Sequence, residues 1–204
     1  MNQSQANLKD IIKEQFKKCA KDEQYFLSKY SYIQHPIRGR VLFDLYGYQT
    51  NTLADFENHD YNIVLKARQI GISTLVAGHA LWLMLFHNDK NILVIATKQE
   101  TAKNLVTKVR YMHANLPVWL RGNCVEDNKL SMRFSNGSQI KAVARSKDAG
   151  RSEALSLLIL DECLGGEQTT YIRDSQTGEV RLVKLEELYN ELSNTAKASI
   201  TNNL

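Results

Sequence analysis

The hydrophobic positions of the chain follow two different periods, and each change of period marks a predicted element. Apolar residues recur at helical spacing over residues 8–31, which predicts an amphipathic helix, and a second, shorter helix is predicted over 50–57. Two more helices are expected, one from the segment after Gly71 to about His87 and one from the segment after residue 98 to about Leu116. Short apolar runs at 61–67, 91–98 and 155–162 are typical of strands.

Asn136-Gly137 marks a predicted β-hairpin, because apolar residues alternate on both sides of this dipeptide. The run "LSLLILDE" (155–162) is nearly continuous in its apolar character, which favours a strand covered on both faces. The resulting order is strand, glycine loop, helix, strand, helix, hairpin and strand. That order predicts an α/β protein with a parallel sheet.

Composition and charge narrow the class of protein. A length of 204 residues suits one good domain, and no apolar run is long enough to span a bilayer. The N-terminus lacks the pattern of a secretory signal, and three scattered cysteines fit neither a disulfide framework nor a metal site, so a reducing cytoplasm is expected.

Residues 1–162 carry a net charge of +6 and residues 163–204 one of −2. The basic part suits a polyanion such as DNA, although many enzymes of neutral substrates are equally basic.

The segment "KARQIGIST" (66–74) lies between a predicted strand and a predicted helix, where a phosphate-binding loop belongs. Ser73 occupies the hydroxyl position of such a loop, but Ile72 stands where the usual lysine would be. Lys66 at the front of the loop, with Arg68 beside it, can supply the missing cation. A plain glycine turn with two solvated cations is the alternative interpretation.

The strand "LLILDE" (157–162) ends in two carboxylates, Asp161 and Glu162. In phosphate-loop ATPases, an aspartate at this place orients Mg²⁺ and the following glutamate activates the attacking water. Polar strand ends are also common in proteins without this chemistry. The order of the two motifs, with a strand and a helix between them, favours the ATPase interpretation.

Taken together, these residues resemble the ATPase domain of bacteriophage large terminase subunits, the motors that package DNA. In that family the loop often has the form K-x-x-R-x-x-G-x-[ST], with lysine displaced forward as Lys66 is here. The resemblance covers roughly residues 10–162 and implies an ASCE-type P-loop ATPase fold. It implies that Ser73 and Asp161 hold Mg²⁺ and that Glu162 acts as the base. It assigns ATP binding to Lys66, Arg68, Gln69, Gly71, Ser73 and Thr74.

Further roles follow from the same resemblance. The element "LYGYQTNTLADF" (45–56) is similar to an upstream aromatic-Gln element that contacts adenine, which indicates Tyr48 and Gln49. Arg151, after Gly150, is a candidate arginine finger acting on a neighbouring subunit's ATP, and a loop-capping or solvated arginine is the alternative. The implied partners are double-stranded DNA, the portal, the small terminase subunit and further copies of the chain, in the host cytoplasm and without a membrane.

After Glu162 the chain departs from the terminase pattern. "CLGGEQTTYIRDSQTGEVRLVKLEELYNEL" (163–192) resembles the opening block of an intein, whose first residue would be the nucleophile Cys163. This resemblance predicts an incomplete ATPase sheet followed by a short β-rich N-fragment of a split intein. The expected parts are residues 1–60 as a helical, adenine-contacting segment, 61–162 as the ATPase core and 163–204 as the intein fragment. The complementary C-terminal fragment would then be a partner.

Three alternatives stay open at this stage. Cys163 can be an ordinary residue of a truncated terminase. The chain can be a truncated helicase-like P-loop ATPase. It can also be a module that binds DNA or a protein partner without hydrolysis, because Ile72 replaces the loop lysine.

Overall fold

A computed structural model describes residues 3–144, 154–161, 169–173, 177–184, 186–188 and 190–191. The chain divides into two units, Met1–Asp161 and Glu162–Leu204. In the first unit the elements are α1 (Gln3–Lys21), α2 (Glu23–Tyr30), β1 (Tyr32–His35), β2 (Gly39–Leu42), α3 (Gly47–Asn58), α4 (Ile72–Phe86), β3 (Asn91–Ala96), α5 (Gln99–Ala114), β4 (Cys124–Asp127), β5 (Ser131–Phe134), β6 (Gln139–Ala144) and β7 (Leu157–Asp161). In the second unit they are β8 (Thr169–Arg173) and β9 (Val180–Lys184).

A five-stranded sheet in the order β4-β5-β6-β3-β7 forms the centre of the first unit. Strand β3 runs parallel to both β6 and β7, whereas β5 runs antiparallel to β4 and β6. The prediction of an α/β fold is confirmed, but the sheet is mixed and not wholly parallel. The difference arises at the predicted hairpin, because a tight turn at Asn136-Gly137 reverses the chain and adds antiparallel strands at one side. Gly137 has a φ of 85°, which such a turn requires.

The helices α4 and α5 pack against each other, and α5 packs on the sheet. Five of the six residues of β3 are buried, as expected for a central strand. Gly78 in α4 allows α2 to approach closely, since a Cβ atom at this position would lie 2.7 Å from Leu27 Cδ2. A glycine at position 78 is therefore needed for the close packing of α2 against α4.

The predicted helix over residues 8–31 is two helices. Asp22 has an extended backbone, with φ −131°, and its side chain accepts a hydrogen bond of 2.8 Å from the Tyr25 N–H. This is the geometry of a helix N-cap, which ends α1 and begins α2. Periodicity alone did not reveal the break, because Phe16 of α1 and Phe26 of α2 both contact Phe86 and so fit one continuous pattern.

The predicted strand over residues 61–67 is wrong, because no strand forms there. Its apolar side chains are exposed, Tyr61 by 94% and Ile63 by 63%. A β-branched run becomes a strand only when a neighbouring strand pairs with it, and among the described strands none lies beside this segment.

Strand β7 also differs from its prediction. Leu158 is 47% exposed and Leu160 is 52% exposed, so one face of the strand is open and the expected cover on both faces is absent. The neighbouring residues of β3 in register, Leu93 and Ile95, are buried. On this face of the sheet, the side chains of β3 are therefore buried and those of β7 are exposed.

In the second unit, β8 and β9 form an antiparallel pair in which Thr169 faces Lys184 and Arg173 faces Val180. Gly178 has a φ of 74° in the connection between them. The Arg181 guanidinium donates a hydrogen bond of 3.0 Å to the Glu191 carboxylate. The described residues of this segment are therefore β-rich, as expected.

None of the helices that the structure describes is both long enough and apolar enough to cross a membrane.

Candidate nucleotide-binding site

A loop with two left-handed residues leads into α4. Gln69 has a φ of 64° and Gly71 a φ of 80°, so the chain turns sharply before the helix begins at Ile72. Gly71 is the N-cap, and no side chain caps the first N–H groups of α4. An uncapped helix N-terminus favours negatively charged groups such as phosphate. The local geometry is thus compatible with the predicted phosphate loop.

The start of α3 holds this loop in place. The Tyr48 hydroxyl donates a hydrogen bond to the Ile70 carbonyl, and Gln49 Nε2 donates a longer one, of 3.4 Å, to the same oxygen. Gln49 is only 1% exposed, and its Oε1 accepts from the Tyr46 N–H at 3.0 Å. The rings of Tyr46 and Tyr48 stack at a centroid distance of 5.6 Å. The aromatic-Gln element therefore contacts the loop directly, through a main-chain carbonyl.

Lys66 and Asp161 meet at the end of β7. Lys66 Nζ lies 3.8 Å from Asp161 Oδ1, and the two side chains are 25% and 14% exposed. The residues are far apart in sequence, and each belongs to a different predicted motif. The structure brings together the displaced lysine of the loop and the acidic end of the strand.

Lys108 on α5 is a third charged residue at this place, and the sequence analysis missed it. Burial lowers the pKa of the Lys108 ammonium, while the charge of Asp161 opposes this effect and that of Lys66 adds to it. The position of Lys108 along its helix could have indicated this from the sequence. Lys108 follows the buried Leu105 by three residues and precedes the buried Met112 by four, so it lies on the apolar face of an amphipathic helix. A half-buried lysine on such a face is favoured by a nearby negative charge, and the charge of Asp161 acts on Lys108 in this sense.

Lys66 and Asp161 line one cleft of about 810 Å³. All five residues of β7 line it, as do Asn62, Val64 and Lys66. Ser73, at the start of α4, also lines the cleft. Hydroxyl and carboxylate oxygens are the donors that Mg²⁺ prefers, so Ser73 and Asp161 have suitable chemistry for it. The described residues contain no group of three or more His, Cys, Asp or Glu side chains that could hold a metal by themselves.

The predicted site residues thus fall into three groups. Lys66, Ser73 and Asp161 line the same cleft. Gln69 and Gly71 shape the loop, Arg68 lies exposed on it, Thr74 is half-buried in α4, and Tyr48 and Gln49 hold the loop from α3. The predicted catalytic residues Arg151, Glu162 and Cys163 lie outside the described residues.

We expect Gly71→Ala to destabilise the protein by about 1–3 kcal/mol, because an alanine at φ 80° is strained. Its Cβ would also lie 2.8 Å from Gln49 Nε2 and would disturb the contact with the loop. Urea denaturation followed by circular dichroism measures the change. Gly47→Ala is the matched control, since no atom lies within 4 Å of its Cβ position and its φ is not positive. Equal stability of the two variants would contradict the assigned role of Gly71.

Comparisons with known proteins address the same region. The sequence model described as "Terminase large subunit, T4likevirus-type, N-terminal" matches residues 63–182, which is more than half of the chain. Among solved structures, the chain is similar to the HK97 bacteriophage large terminase, with a TM-score of 0.55 and 15% sequence identity. That match covers 87% of this chain and 42% of the other, so the chain spans less than half of that relative's length. At this identity the similarity is one of fold.

Proposed function

Because the chain belongs to the terminase large subunit family, of the T4likevirus type, and matches its N-terminal part, we propose that it supplies the nucleotide-binding part of an ATP-driven DNA-packaging motor. The observation that carries this proposal is the distance of 3.8 Å between Lys66 Nζ and Asp161 Oδ1. A lysine displaced from its usual position can replace the missing one only if it reaches the acidic strand end. Lys66 reaches it.

We assign the following roles to the cleft residues. Lys66 and the N–H groups at the start of α4 bind the phosphates of ATP, with Arg68, Gln69, Gly71 and Thr74 completing the loop. Ser73 and Asp161 hold Mg²⁺, which would polarise the outer phosphate. Glu162 follows Asp161 directly and is the proposed base, and Arg151 is the proposed arginine finger from a neighbouring subunit.

The proposal for adenine centres on the aromatic pair before α3. Tyr46 is 65% exposed and Tyr48 is 42% exposed, so their stacked rings offer an open face for a base. Gln49, in contrast, is buried and already bonded to Ile70 and Tyr46. We therefore propose that the tyrosines contact adenine and that Gln49 acts mainly by positioning the loop.

The partners of the motor follow from the same proposal. They are double-stranded DNA, the portal, the small terminase subunit and further copies of the chain, in the host cytoplasm. The net charge of +6 on residues 1–162 supports a polyanionic partner. The family match favours this packaging role over a helicase-like ATPase or a module without hydrolysis.

For residues 163–204 we propose the N-terminal fragment of a split intein, with Cys163 as its first nucleophile. Two observations support it. The chain divides into units between Asp161 and Glu162, one residue from the proposed junction. The described residues of the second unit form an antiparallel strand pair, as the opening block predicts.

A second candidate has its own support. The family match continues past Cys163 to residue 182, which favours an uninterrupted terminase segment in which Cys163 is an ordinary residue. Both candidates have the same proposed ATP site. They differ in whether the peptide bond between Glu162 and Cys163 is broken by splicing. The sequence of the mature protein around Glu162 separates them.

The ATPase proposal is tested with the completed protein, after the chain has been joined to the rest of the large subunit. We expect Glu162→Gln to retain ATP binding and to lower the hydrolysis rate by about 10²–10⁴-fold, since the amide cannot accept a proton from water. Phosphate release at saturating ATP measures this. Glu100→Gln, which removes a 69% exposed carboxylate, is the control and should hydrolyse ATP normally. A normal rate in Glu162→Gln would refute the assigned role.

A further inference from the structure

A second cleft lies outside the proposed ATP site, where α2, β1, β2 and the end of α5 meet. Its volume is about 410 Å³, which lies in the usual range of small-ligand sites. Two cations, Lys29 and Arg40, and two aromatic residues, Tyr30 and Tyr32, line it together with the end of α5. No role proposed for ATP or Mg²⁺ uses these residues.

Arg40 is held in one orientation at this cleft. The register of β1 with β2 puts Tyr32 and Arg40 on the same face of the strand pair. The Arg40 guanidinium carbon lies 5.1 Å from the centre of the Tyr32 ring, and Nη1 donates a hydrogen bond of 3.2 Å to Asn115 Oδ1. Asn115 is itself fixed, because its Nδ2 donates a bond of 2.8 Å to the Tyr111 carbonyl. Arg40 is exposed, so the side of the guanidinium away from Tyr32 is open to a ligand.

The charge around the cleft is positive. Residues 24–43 and 111–125 supply all of its lining, and they contain no Asp or Glu. They do contain four lysines or arginines, which are Lys29, Arg38, Arg40 and Arg121. Among the residues that the structure describes, no carboxylate forms an ion pair with any of the four. A ligand with a negative charge is therefore favoured here.

The end of α5 does not cancel this preference. A helix C-terminus carries partial negative charge and repels anions. Arg121 Nη2, however, donates hydrogen bonds of 2.7 Å and 2.9 Å to the Ala114 and Leu116 carbonyls. A cation therefore lies at these oxygens.

The aromatic wall of the cleft is fixed by its own contacts. The Tyr30 ring packs edge-on against Trp119 at 5.3 Å between ring centres, and its hydroxyl donates a hydrogen bond of 2.9 Å to Gln15 Oε1. Proteins bind single nucleotides with this combination of an oriented guanidinium, aromatic rings and surplus cations, because the base stacks and the phosphate meets a positive charge.

We propose that this cleft binds a nucleoside phosphate, with the base stacked on the open side of the Arg40 guanidinium and the phosphate beside Lys29. An unpaired nucleotide of a DNA strand and a free nucleotide share this chemistry. A base inside a duplex does not, because the neighbouring base pairs cover both of its faces. Only the DNA strand as a source rests on the proposed function.

The experiment is a titration of the 204-residue chain with fluorescently labelled oligothymidylate of about 12 nucleotides, in about 0.15 M salt without Mg²⁺, followed by anisotropy. Thymine keeps the probe distinct from adenine nucleotides. We expect Arg40→Ala to weaken binding at least about tenfold, because it removes the stacking surface and one charge. Arg133→Ala removes the same group from an exposed position in β5 and should bind normally. Since Arg40 is exposed, its variant should keep the thermal stability of the native chain.

Arg40→Lys separates stacking from charge. Lysine keeps the positive charge but lacks the planar group. The affinity should therefore still fall at least about fivefold, while the slope of log affinity against log salt concentration stays that of the native chain.

Competition with unlabelled thymidine monophosphate identifies the source of the nucleotide. If the oligothymidylate binds at least about tenfold more tightly than the monophosphate, the ligand is part of a DNA strand. If the two bind equally, the ligand is a free nucleotide. Both results support the cleft, provided that binding depends on Arg40.

Four results would overturn the proposal: no binding of either probe, native affinity in Arg40→Ala, native affinity in Arg40→Lys, or a duplex whose binding depends on Arg40 as strongly as that of the single strand. The proposed function is judged separately, by Mg·ATP binding that depends on Lys66. If Mg·ATP binds but Arg40→Ala holds the oligothymidylate as the native chain does, the cleft proposal alone fails. If the oligothymidylate binds through Arg40 but Mg·ATP does not bind, the proposed function alone fails.

Discussion

Lys66→Ala is expected to raise the dissociation constant for Mg·ATP about 10- to 100-fold in the 204-residue chain. Hydrogen bonds to charged groups contribute about 1.5–3 kcal/mol, and 1.4 kcal/mol corresponds to a tenfold change in affinity. Ile72 occupies the usual lysine position and is only 5% exposed, packed in the core. Lys66 is therefore the cation on which phosphate binding depends.

The same substitution should change folding stability much less than binding. The Lys66–Asp161 pair is partly exposed and 3.8 Å long, so its loss is expected to lower the free energy of unfolding by about 1 kcal/mol or less. Lys108 remains near Asp161 and partly offsets the loss of charge. A thermal melt of the variant therefore shows whether a loss of binding reflects the site or the fold.

Titration with a fluorescent ATP analogue in the presence of Mg²⁺ measures the affinity. Lys129→Ala is the matched control, because it removes the same charge from an exposed position between β4 and β5. The control should bind like the native chain. Equal affinities of the two variants would instead support a module that binds DNA or protein without using nucleotide.

Cys163→Ala is expected to abolish formation of the joined large subunit altogether. In the proposed splicing reaction the Cys163 thiolate attacks the Glu162 carbonyl carbon, and the peptide bond becomes a thioester, with the proton of the thiol passing to the freed amine. Alanine has no nucleophile. The joined large subunit should therefore be absent and not merely less abundant.

The other two cysteines cannot replace Cys163. Burial, with a smaller contribution from Asp22, raises the pKa of Cys19 to about 11, and burial also raises the pKa of Cys124. Both thiols therefore stay protonated near neutral pH and are poor nucleophiles. Cys124→Ala is the control and should be joined as efficiently as the native chain.

Mass spectrometry of the chain co-expressed with its candidate C-terminal partner checks this prediction. The native chain should yield a peptide in which Glu162 is followed by a residue other than Cys163, and Cys163→Ala should not. If the native chain gives only Glu162-Cys163 peptides with the partner present, Cys163 is an ordinary residue. The family match up to residue 182 would then describe an uninterrupted terminase segment.

The sequence by itself determined the elements whose stability is local. The helices α4 and α5 and the turn at Asn136-Gly137 were predicted, because a helix or a tight turn forms its hydrogen bonds between residues close together in the chain. The loop was predicted with Gly71 at its end and Lys66 displaced to its front. Strand β3 was also predicted, since its apolar run is buried on both faces.

Only the tertiary structure decided what depends on distant neighbours. Residues 61–67 have a strand's composition but no partner among the described strands, so they stay unpaired. Lys66, Lys108 and Asp161 belong to a loop, a helix and a strand, and only the tertiary structure brings their charges near one another. Periodicity records which side of an element is apolar, whereas the partner of a strand or of a buried charge is set by the arrangement of the whole chain.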